Sequence, residues 1–359
     1  MKIAIFHDYF GAIGGGERVV IEIAKCLDAD IITTDTDALN KIDSGVRVIS
    51  VGKTIKYPGL KQISATLKFY FCDFSKKYDL FIFSGNWAHY AAHRHHPNLW
   101  YCHTPVRAFY DNYSHFLQKL PFFTRFFFRG YAQMFRVFDR NSISHIDQFV
   151  ANSHNVQMRI KLFYNHESDV IYPPINSSKF YFSEYGNFWL SVNRLYPEKQ
   201  IELQIESFHM MPEQKLVIAG GFAQGDHSAK YAKKIQTDIP PNVSFLGEIT
   251  DAELRDLFAH CKGFICTAKD EDFGIAPLEA MASGKPVVAV DEGGFQETVT
   301  KETGILVVPG VLSIVSAVHQ ISENPAQYHD ACIARAREFD ISVFSEKIRK
   351  KVNEISKIS

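Results

Sequence analysis

Short runs rich in β-branched and aromatic residues alternate along the chain with stretches of helical periodicity. In the first half the strand-like runs are Ile3–Phe6, Ile31–Thr33, Val46–Val51, Leu80–Ser84 and Gln148–Ala151. In the second half they are Phe188–Val192, Lys215–Ala219, Val243–Leu246, Gly263–Cys266, Val287–Val290 and Ile305–Val307. Strands alternating with helices predict an α/β chain of parallel, doubly wound, Rossmann-like sheets. The runs fall into two sets, separated by Ile171-Tyr-Pro-Pro-Ile-Asn176, whose paired prolines remove two backbone donors and stiffen the chain. This places a hinge there and predicts two domains, residues 1–173 and 174–342. A last helix over 343–359 carries charges on most faces and is expected to cross the hinge and pack on the amino-terminal domain. Ligands of open α/β sheets sit beyond the carboxyl ends of the strands, so two such domains are expected to face one cleft.

Composition narrows the class. With 359 residues, 46% apolar and 22% charged, the chain has material for two buried cores and is not mainly disordered. Lys+Arg 39 against Asp+Glu 40 leaves a net charge of -1, so no global basic field draws the protein to nucleic acid, and any anion site must be local. The six cysteines form no C-x2-C pair, which fits reduced, buried thiols. The opening Ile-Ala-Ile-Phe is too short for the roughly 7–15 apolar residues of a signal peptide, and no run of about 18 uncharged apolar residues exists. The expectation is a cytoplasmic protein, or one peripheral on the inner face of the cytoplasmic membrane.

The strongest chemical signal is Glu271-Asp-Phe-Gly-Ile-Ala-Pro-Leu-Glu279-Ala-Met-Ala-Ser-Gly-Lys-Pro-Val-Val-Ala-Val290. A strand feeds a glycine turn; Pro277 suits a first helical turn; Gly284 stops the helix. The helix start offers N–H groups from Ile275 to Leu278 to an anion, a phosphate seat. Two carboxylates beside such a seat repel phosphate unless each binds something neutral, and hydroxyl-rich sugars fit. The plainer reading is helix-start acids complementing a dipole. A second signal is Val192-Asn-Arg194-Leu-Tyr-Pro-Glu-Lys199 at the end of a strand, where Arg as a fork and Lys as a point charge can converge on one diphosphate. Solvated surface charge is the plainer alternative.

These strings, with Gly14-Gly15-Gly16-Glu17-Arg18-Val19 and Phe245-Leu-Gly247, resemble the retaining glycosyltransferase family 4, of GT-B fold, over nearly the whole chain. Trp100-Tyr-Cys-His103-Thr-Pro-Val-Arg107, Val150-Ala-Asn152-Ser153-His-Asn-Val-Gln-Met-Arg159-Ile and Val170-Ile-Tyr-Pro-Pro174 look like the bacterial mannosyltransferases of O-antigen and capsule synthesis. The resemblance implies an amino-terminal acceptor domain and a carboxyl-terminal nucleotide-sugar domain. It implies that Glu271 reaches the transferred sugar's hydroxyls, that Glu279 binds the ribose and that Arg194 and Lys199 hold the diphosphate. Backbone at Gly15 and Gly16 approaches the phosphate, and backbone near Gly247 and Glu248 contacts the base. Phe273, Gly274, Ile275, Ala276 and Leu278 complete the donor loop. His103 lies near the sugar and acceptor, with Arg107, Asn152 and Ser153 on the acceptor side. Two positions depart from the pattern: Asn193 stands where many relatives carry Gly, and Lys269-Asp270 precede Glu271.

The implied activity moves a hexose, mannose from GDP-mannose, onto a lipid-linked oligosaccharide, with UDP-sugars as the alternative donor. No cofactor or metal is required if protein cations stabilise the leaving diphosphate. Asp28-x-Asp30, Asp270-x-Asp272 and His93-Arg-His95-His96 are weak metal signals. Phe122–Phe138 mixes aromatics with Arg125, Arg129 and Arg136; it reads either as an interfacial helix on an anionic membrane, arginines at headgroup level, or as a helix packed within its domain. Three rivals remain. One is an NAD-dependent oxidoreductase using Gly11-x-x-Gly14-Gly15-Gly16 with Asp35 or Asp37, although the spacing is not G-x-G-x-x-G. The others are a sugar-nucleotide epimerase and a catalytically silent binding subunit.

Overall fold

The computed structural model describes residues 1–11, 14–39, 45–57, 59–221 and 229–358. The chain divides into two compact units, Met1–Tyr172 with Phe344–Ser359, and Pro173–Val343.

The first unit carries strands β1 (Ile3–His7), β2 (Asp30–Thr33), β3 (Val48–Ser50), β4 (Leu80–Ser84), β5 (Asn98–Cys102), β6 (Gln148–Ala151) and β7 (Asp169–Val170). All pair in parallel, in the order β3-β2-β1-β4-β5-β6-β7. Every residue of β1, β4 and β5 is buried, as expected of central parallel strands covered on both faces. The helices are α1 (Gly15–Leu27), α2 (Leu60–Phe71), α3 (Tyr113–Lys119), α4 (Phe122–Ile143) and α5 (His154–Tyr164). Val19, Val20, Ile23 and Ala24 turn one face of α1 into the core. The two-residue β7 lies beyond the sequence-predicted strands: it is too short and too polar to leave a periodic signal, and only its pairing with β6 defines it.

The second unit carries β8 (Phe188–Val192), β9 (Lys215–Ala219), β10 (Val243–Gly247), β11 (Gly263–Cys266), β12 (Val287–Val290) and β13 (Gly304–Val307), a parallel sheet ordered β10-β9-β8-β11-β12-β13. Its helices are α6 (Ile201–His209), α7 (Ala229–Ile235), α8 (Asp251–His260), α9 (Ile275–Ala282), α10 (Phe295–Thr298), α11 (Val311–Glu323) and α12 (His329–Arg337). The closing helix α13 (Ile341–Ile358) belongs to the first unit from Phe344 onward. Although charges spread around it, Phe344, Ile348, Val352 and Ile355 form a buried stripe at helical spacing. Phe344 meets Tyr101 at 6.2 Å, and Lys351 Nζ reaches Asp169 at 2.5 Å and Gln148 at 3.0 Å.

Strand order reverses once in each sheet, between β1 and β4 and between β8 and β11. At such a switch point the crossovers leave to opposite faces and open a crevice at the strand ends. The residues that follow β8, β11, β1 and β4 are therefore the ones that can carry chemistry.

Candidate active site

In the second unit the chain leaves β8 through Asn193 and Arg194 and forms a short 3-10 turn at Pro197–Lys199; it leaves β11 through Thr267 to Glu271. Three bonds stitch these two loops together. Thr267 Oγ1 donates to the Lys199 carbonyl (2.8 Å) and accepts from Gln204 Nε2 (2.8 Å), and Lys269 N donates to the Glu198 carbonyl (2.8 Å). Thr267 and Gln204 are buried, so the splice is fixed. It brings Lys199 Nζ to 2.5 Å from Glu271 Oε2. Burial alone depresses the Lys199 ammonium, but the Glu271 carboxylate, with Asp272 and Glu198 near, outweighs it and holds the pKa above the ordinary lysine value. Lys199 is thus a retained cation. Arg194 is exposed at the mouth of the same loop.

Glu271 is held from below by glycines that the sequence reading passed over. Gly294 N donates to the Glu271 carbonyl (2.8 Å); Gly293, at φ +57, leaves no room for a Cβ against the Glu271 backbone. Gly274, at φ +86, is the N-cap of α9, and a Cβ there meets Phe295 at 2.7 Å. The pattern Glu-Gly-Gly after β12 was the available signal. Because α9 begins at Ile275 and Pro277 has no N–H, the seat offers the N–H groups of Ile275 and Ala276. Leu278 N–H, expected in the seat, is the first to turn back to the Gly274 carbonyl. The Phe273 and Leu278 side chains are buried, so only their backbone faces a ligand. Glu279 is half-buried in the following turn.

The two departures from the family pattern are accommodated. Asn193 Nδ2 donates to Ser191 Oγ (2.6 Å), and Asp270 takes the left-handed conformation, φ +49, with its N–H on Glu292. Gly247 closes β10 at φ +74 with open space beside it. The neighbouring Glu248 lines an open pocket of about 630 Å³ with Leu246, Ile249 and residues of α8.

In the first unit β1 ends at His7 and β4 at Ser84, which face each other across the ladder. Asp8 is buried and its carboxylate accepts the N–H groups of Asn86 (2.7 Å), Trp87 (2.8 Å) and Ala88 (2.8 Å), tying the exit of β1 to the loop after β4. Burial pushes its pKa up to about 6 in spite of those donors. His103 follows β5; its Nε2 lies 2.9 Å from Ser84 Oγ, and its ring packs on Gly16 in the first turn of α1, where a Cβ would sit 3.8 Å away. The ring keeps some exposed surface, yet desolvation, with His7 adding to it, pushes the pKa down to about 4. The α1 N-terminus is partly occupied by its own Glu17, whose carboxylate accepts from Gly14 N at 2.8 Å. Gly15 and Gly16 stand in that turn, while residues 12 and 13 of the glycine-rich string lie outside the described residues.

The acceptor-side assignments divide. Arg107 Nε pairs with Asp111 at 3.0 Å, and the same carboxylate faces Arg159 at 3.5 Å. Arg159, which stands in the string of residues 150–160 with no role evident from sequence, is buried and also reaches Thr104 (3.1 Å). Ser153 does not offer its side chain to a ligand. It is fully buried as the N-cap of α5, accepting from Val156 N (3.0 Å) and bonding Asn152 (3.2 Å). Asn152 is itself buried.

The weaker signals resolve in physical terms. Asp35 is buried and spends its carboxylate on Thr54, while Asp37 pairs with Lys53 and Lys56, so neither is placed as a dinucleotide ribose ligand. Both ring nitrogens of His95 are used, one on the Ala91 carbonyl (2.6 Å) and one on Phe74 N (2.9 Å). Among the described residues no group of three or more His, Cys, Asp or Glu is placed to hold a metal. Helix α4 divides along its length. Its second half packs through Ala132, Phe135, Asp139, Ser142 and Ile143, whereas Phe122, Phe123, Phe126 and Phe127 are 76–81% exposed. Two of its expected headgroup arginines are engaged inside the unit. Arg125 bonds the Leu120 and Gln118 carbonyls and Arg136 the Phe109 carbonyl, leaving Arg129 exposed. Among the described residues no helix is long and apolar enough to cross a membrane.

Comparison with known proteins agrees with this anatomy. A family model described as Glycosyltransferase Family 4 matches residues 13–179, and one described as Glycosyl transferases group 1 matches residues 175–339. The chain is 26% identical over 392 residues to the alpha-1,3/1,6-mannosyltransferase ALG2 of Dictyostelium discoideum, covering 90% of each. It is 30% identical over 172 residues to the O-antigen chain mannosyltransferase RfbU of Salmonella typhimurium, covering 46% of this chain and 48% of the relative. The fold is that of HepE from Anabaena, solved in complex with UDP and glucose (TM-score 0.78, 20% identity, 98% of this chain and 99% of that one). The two family models between them take in both units, and the chain belongs to the glycosyltransferases that join a family 4 amino-terminal half to a group 1 carboxyl-terminal half in the GT-B fold.

Proposed function

We propose that the protein transfers mannose from GDP-mannose, with retention at the anomeric carbon, onto a lipid-linked oligosaccharide in the assembly of a cell-surface polysaccharide. The observation that carries this reading is the junction of Lys199, Glu271 and the start of α9 at the switch point of the second sheet. A cation, backbone N–H groups and a carboxylate converge there, the set needed for a diphosphate joined to a sugar. The mannosyltransferases named among its relatives favour mannose.

In this reading Arg194, Lys199 and the N–H groups of Ile275 and Ala276 hold the diphosphate. Glu279 takes the ribose, backbone at Gly247 and Glu248 the base, and Glu271 the hexose hydroxyls. The bond from the anomeric carbon to the diphosphate breaks and the acceptor oxygen takes its place on the same face. The acceptor's proton passes to the leaving phosphate oxygen. Charge grows on the diphosphate as it leaves, so cations already in place lower the barrier without a metal. In the first unit His103, Arg107 and Asn152 serve the acceptor side, and backbone at Gly15 and Gly16 approaches the phosphate. The exposed phenylalanines at the start of α4 dock on the cytoplasmic face of an anionic membrane, with Arg129 at headgroup level.

A thermal-shift titration with GDP-mannose, UDP-glucose, UDP-N-acetylglucosamine and NAD, with and without EDTA, tests the reading. A shift with GDP-mannose that survives EDTA is expected. A shift with only a UDP-sugar overturns the donor, loss of the shift in EDTA overturns metal independence, and a shift with NAD alone overturns the site.

A further inference from the structure

Ser84 was not singled out by its sequence context, but it stands at the switch point of the first sheet. It closes β4 opposite His7, and one strand further on β5 delivers His103. Ser84 is fully buried, and among the described residues the one hydrogen bond of its hydroxyl is the 2.9 Å contact with Nε2 of His103. Gly16 lies beside the same ring, where an added Cβ would come within 3.8 Å of it, and the Tyr101 ring is 5.3 Å away. The imidazole is therefore confined by α1 and pinned at Nε2, and its Nδ1 has no partner among the described residues. In a neutral imidazole the bond made by one nitrogen decides what the other presents. Burial keeps His103 neutral at pH 7, and the still more buried His7 beside Ser84 is held neutral in the same way. The group on offer is thus an uncharged donor or acceptor, suited to a hydroxyl and unsuited to a phosphate.

We propose that Ser84 is a positioning residue of the transferase, holding Nε2 of His103 so that the ring presents Nδ1 to a hydroxyl of the acceptor. The proposal rests on the reading of the first unit as the acceptor side. It assigns to Ser84 an effect on transfer and none on nucleotide binding, since the cations and helix N–H groups proposed to hold the diphosphate belong to the other unit.

The test uses the full chain with ¹⁵N-labelled histidine at pH 7, with His103 assigned by the loss of its signals in His103→Gln. The wild type is expected to show one tautomer at His103. Ser84→Ala should show nitrogen shifts averaged between two tautomers, and Ser84→Thr, which keeps the hydroxyl, should restore the wild-type pattern. In parallel, transfer from GDP-mannose to octyl α-D-mannopyranoside should fall about 10- to 100-fold in Ser84→Ala and largely recover in Ser84→Thr, with GDP affinity unchanged. Wild-type nitrogen shifts in Ser84→Ala overturn the proposal, as does an equal loss in the alanine and threonine variants. A wild-type protein inert toward GDP-mannose and this probe counts against the proposed function, while the nitrogen spectrum still decides the role of Ser84.

Discussion

Removing either end of the Lys199–Glu271 pair is expected to separate stability from turnover. The two side chains touch at 2.5 Å and keep 24% and 21% of their surface exposed. A pair with that much solvent contributes at most about 1 kcal/mol after screening, and in a unit the size of Pro173–Val343 a loss of that order lowers the melting temperature by about 2–4 °C. The kinetic consequence is larger. In the proposed reaction Lys199 faces the charge that develops on the leaving diphosphate, and a preorganised donor of this kind is worth on the order of 10² in rate, about 2.7 kcal/mol. Glu271→Ala acts twice: it removes the proposed contact to the hexose and also the carboxylate that outweighs the burial of Lys199, so the ammonium pKa falls. Lys199→Ala and Glu271→Ala should therefore each lose about 10² or more in kcat, while the double variant loses less than the product of the two. Nucleotide release from the donor, measured beside a thermal melt, reads both quantities. Near-normal turnover in both single variants refutes the site, and losses that simply multiply refute the coupling.

Three further outcomes follow from the first unit. Each exposed phenyl ring at the start of α4 carries roughly 150 Å² of surface, worth about 2 kcal/mol if half of it enters lipid. Phe127→Ser should then weaken sedimentation with anionic vesicles about 30-fold and leave turnover on a short acceptor intact; unchanged sedimentation refutes the membrane contact. Asp139, buried on α4, accepts from Tyr110 (2.6 Å) and Tyr164 (2.8 Å) and faces His89 at 3.3 Å. Asp139→Ala strands all three partners and should cost roughly 3–5 kcal/mol in urea unfolding; a loss below about 1 kcal/mol means that the network is not holding α4. His7 has an ordinary pKa of 6.5 and is pushed down to about 4 by burial, so the unfolded chain binds the extra proton between those values. Its contribution to stability is whole above pH 6.5 and is lost as pH falls toward 4. His7→Phe should flatten the rise of stability with pH by an amount on the order of 3 kcal/mol across the window; an unaltered slope refutes a neutral buried His7.

The strands of both units were legible because central parallel strands, buried on both faces, read as apolar runs, and turns and helices interrupt them regularly. The candidate donor-loop string stands out in the sequence for a related reason. Glu271 to Glu279 is one continuous string in which glycine, proline and two acids have fixed offsets, so a local reading recovers it. The glycines under Glu271 were missed because they belong to another strand exit, after β12, and matter only through contact with its backbone. Ser153 misled for the opposite reason: a serine before a helix is a cap as readily as a ligand, and burial made it a cap. The phenylalanine-rich helix could not be divided from composition alone, because Phe128, Tyr131 and Phe135 pack against Phe109 while Phe122, Phe123, Phe126 and Phe127 pair with one another and stay exposed, a distinction made by tertiary packing.

The two switch points are topologically alike and chemically opposite, and burial is the cause. After β8 and β11 the loops keep Lys199 charged, because Glu271 lies close enough to outweigh desolvation. After β1, β4 and β5 the nearby carboxylates do not outweigh burial: Asp8 is committed to three backbone N–H groups, Glu17 only partly offsets the desolvation of His103, and His7 and His103 are driven to the neutral form. Two sheets of the same architecture thus present different reagents, a fixed cation with N–H donors in one and uncharged imidazoles in the other. The proposed transfer would use this difference, since the leaving group is an anion throughout and the acceptor hydroxyl is neutral until its proton moves. A substitution that equalised the two sites, by charging His103 or by neutralising Lys199, would remove that division of labour while leaving both sheets intact.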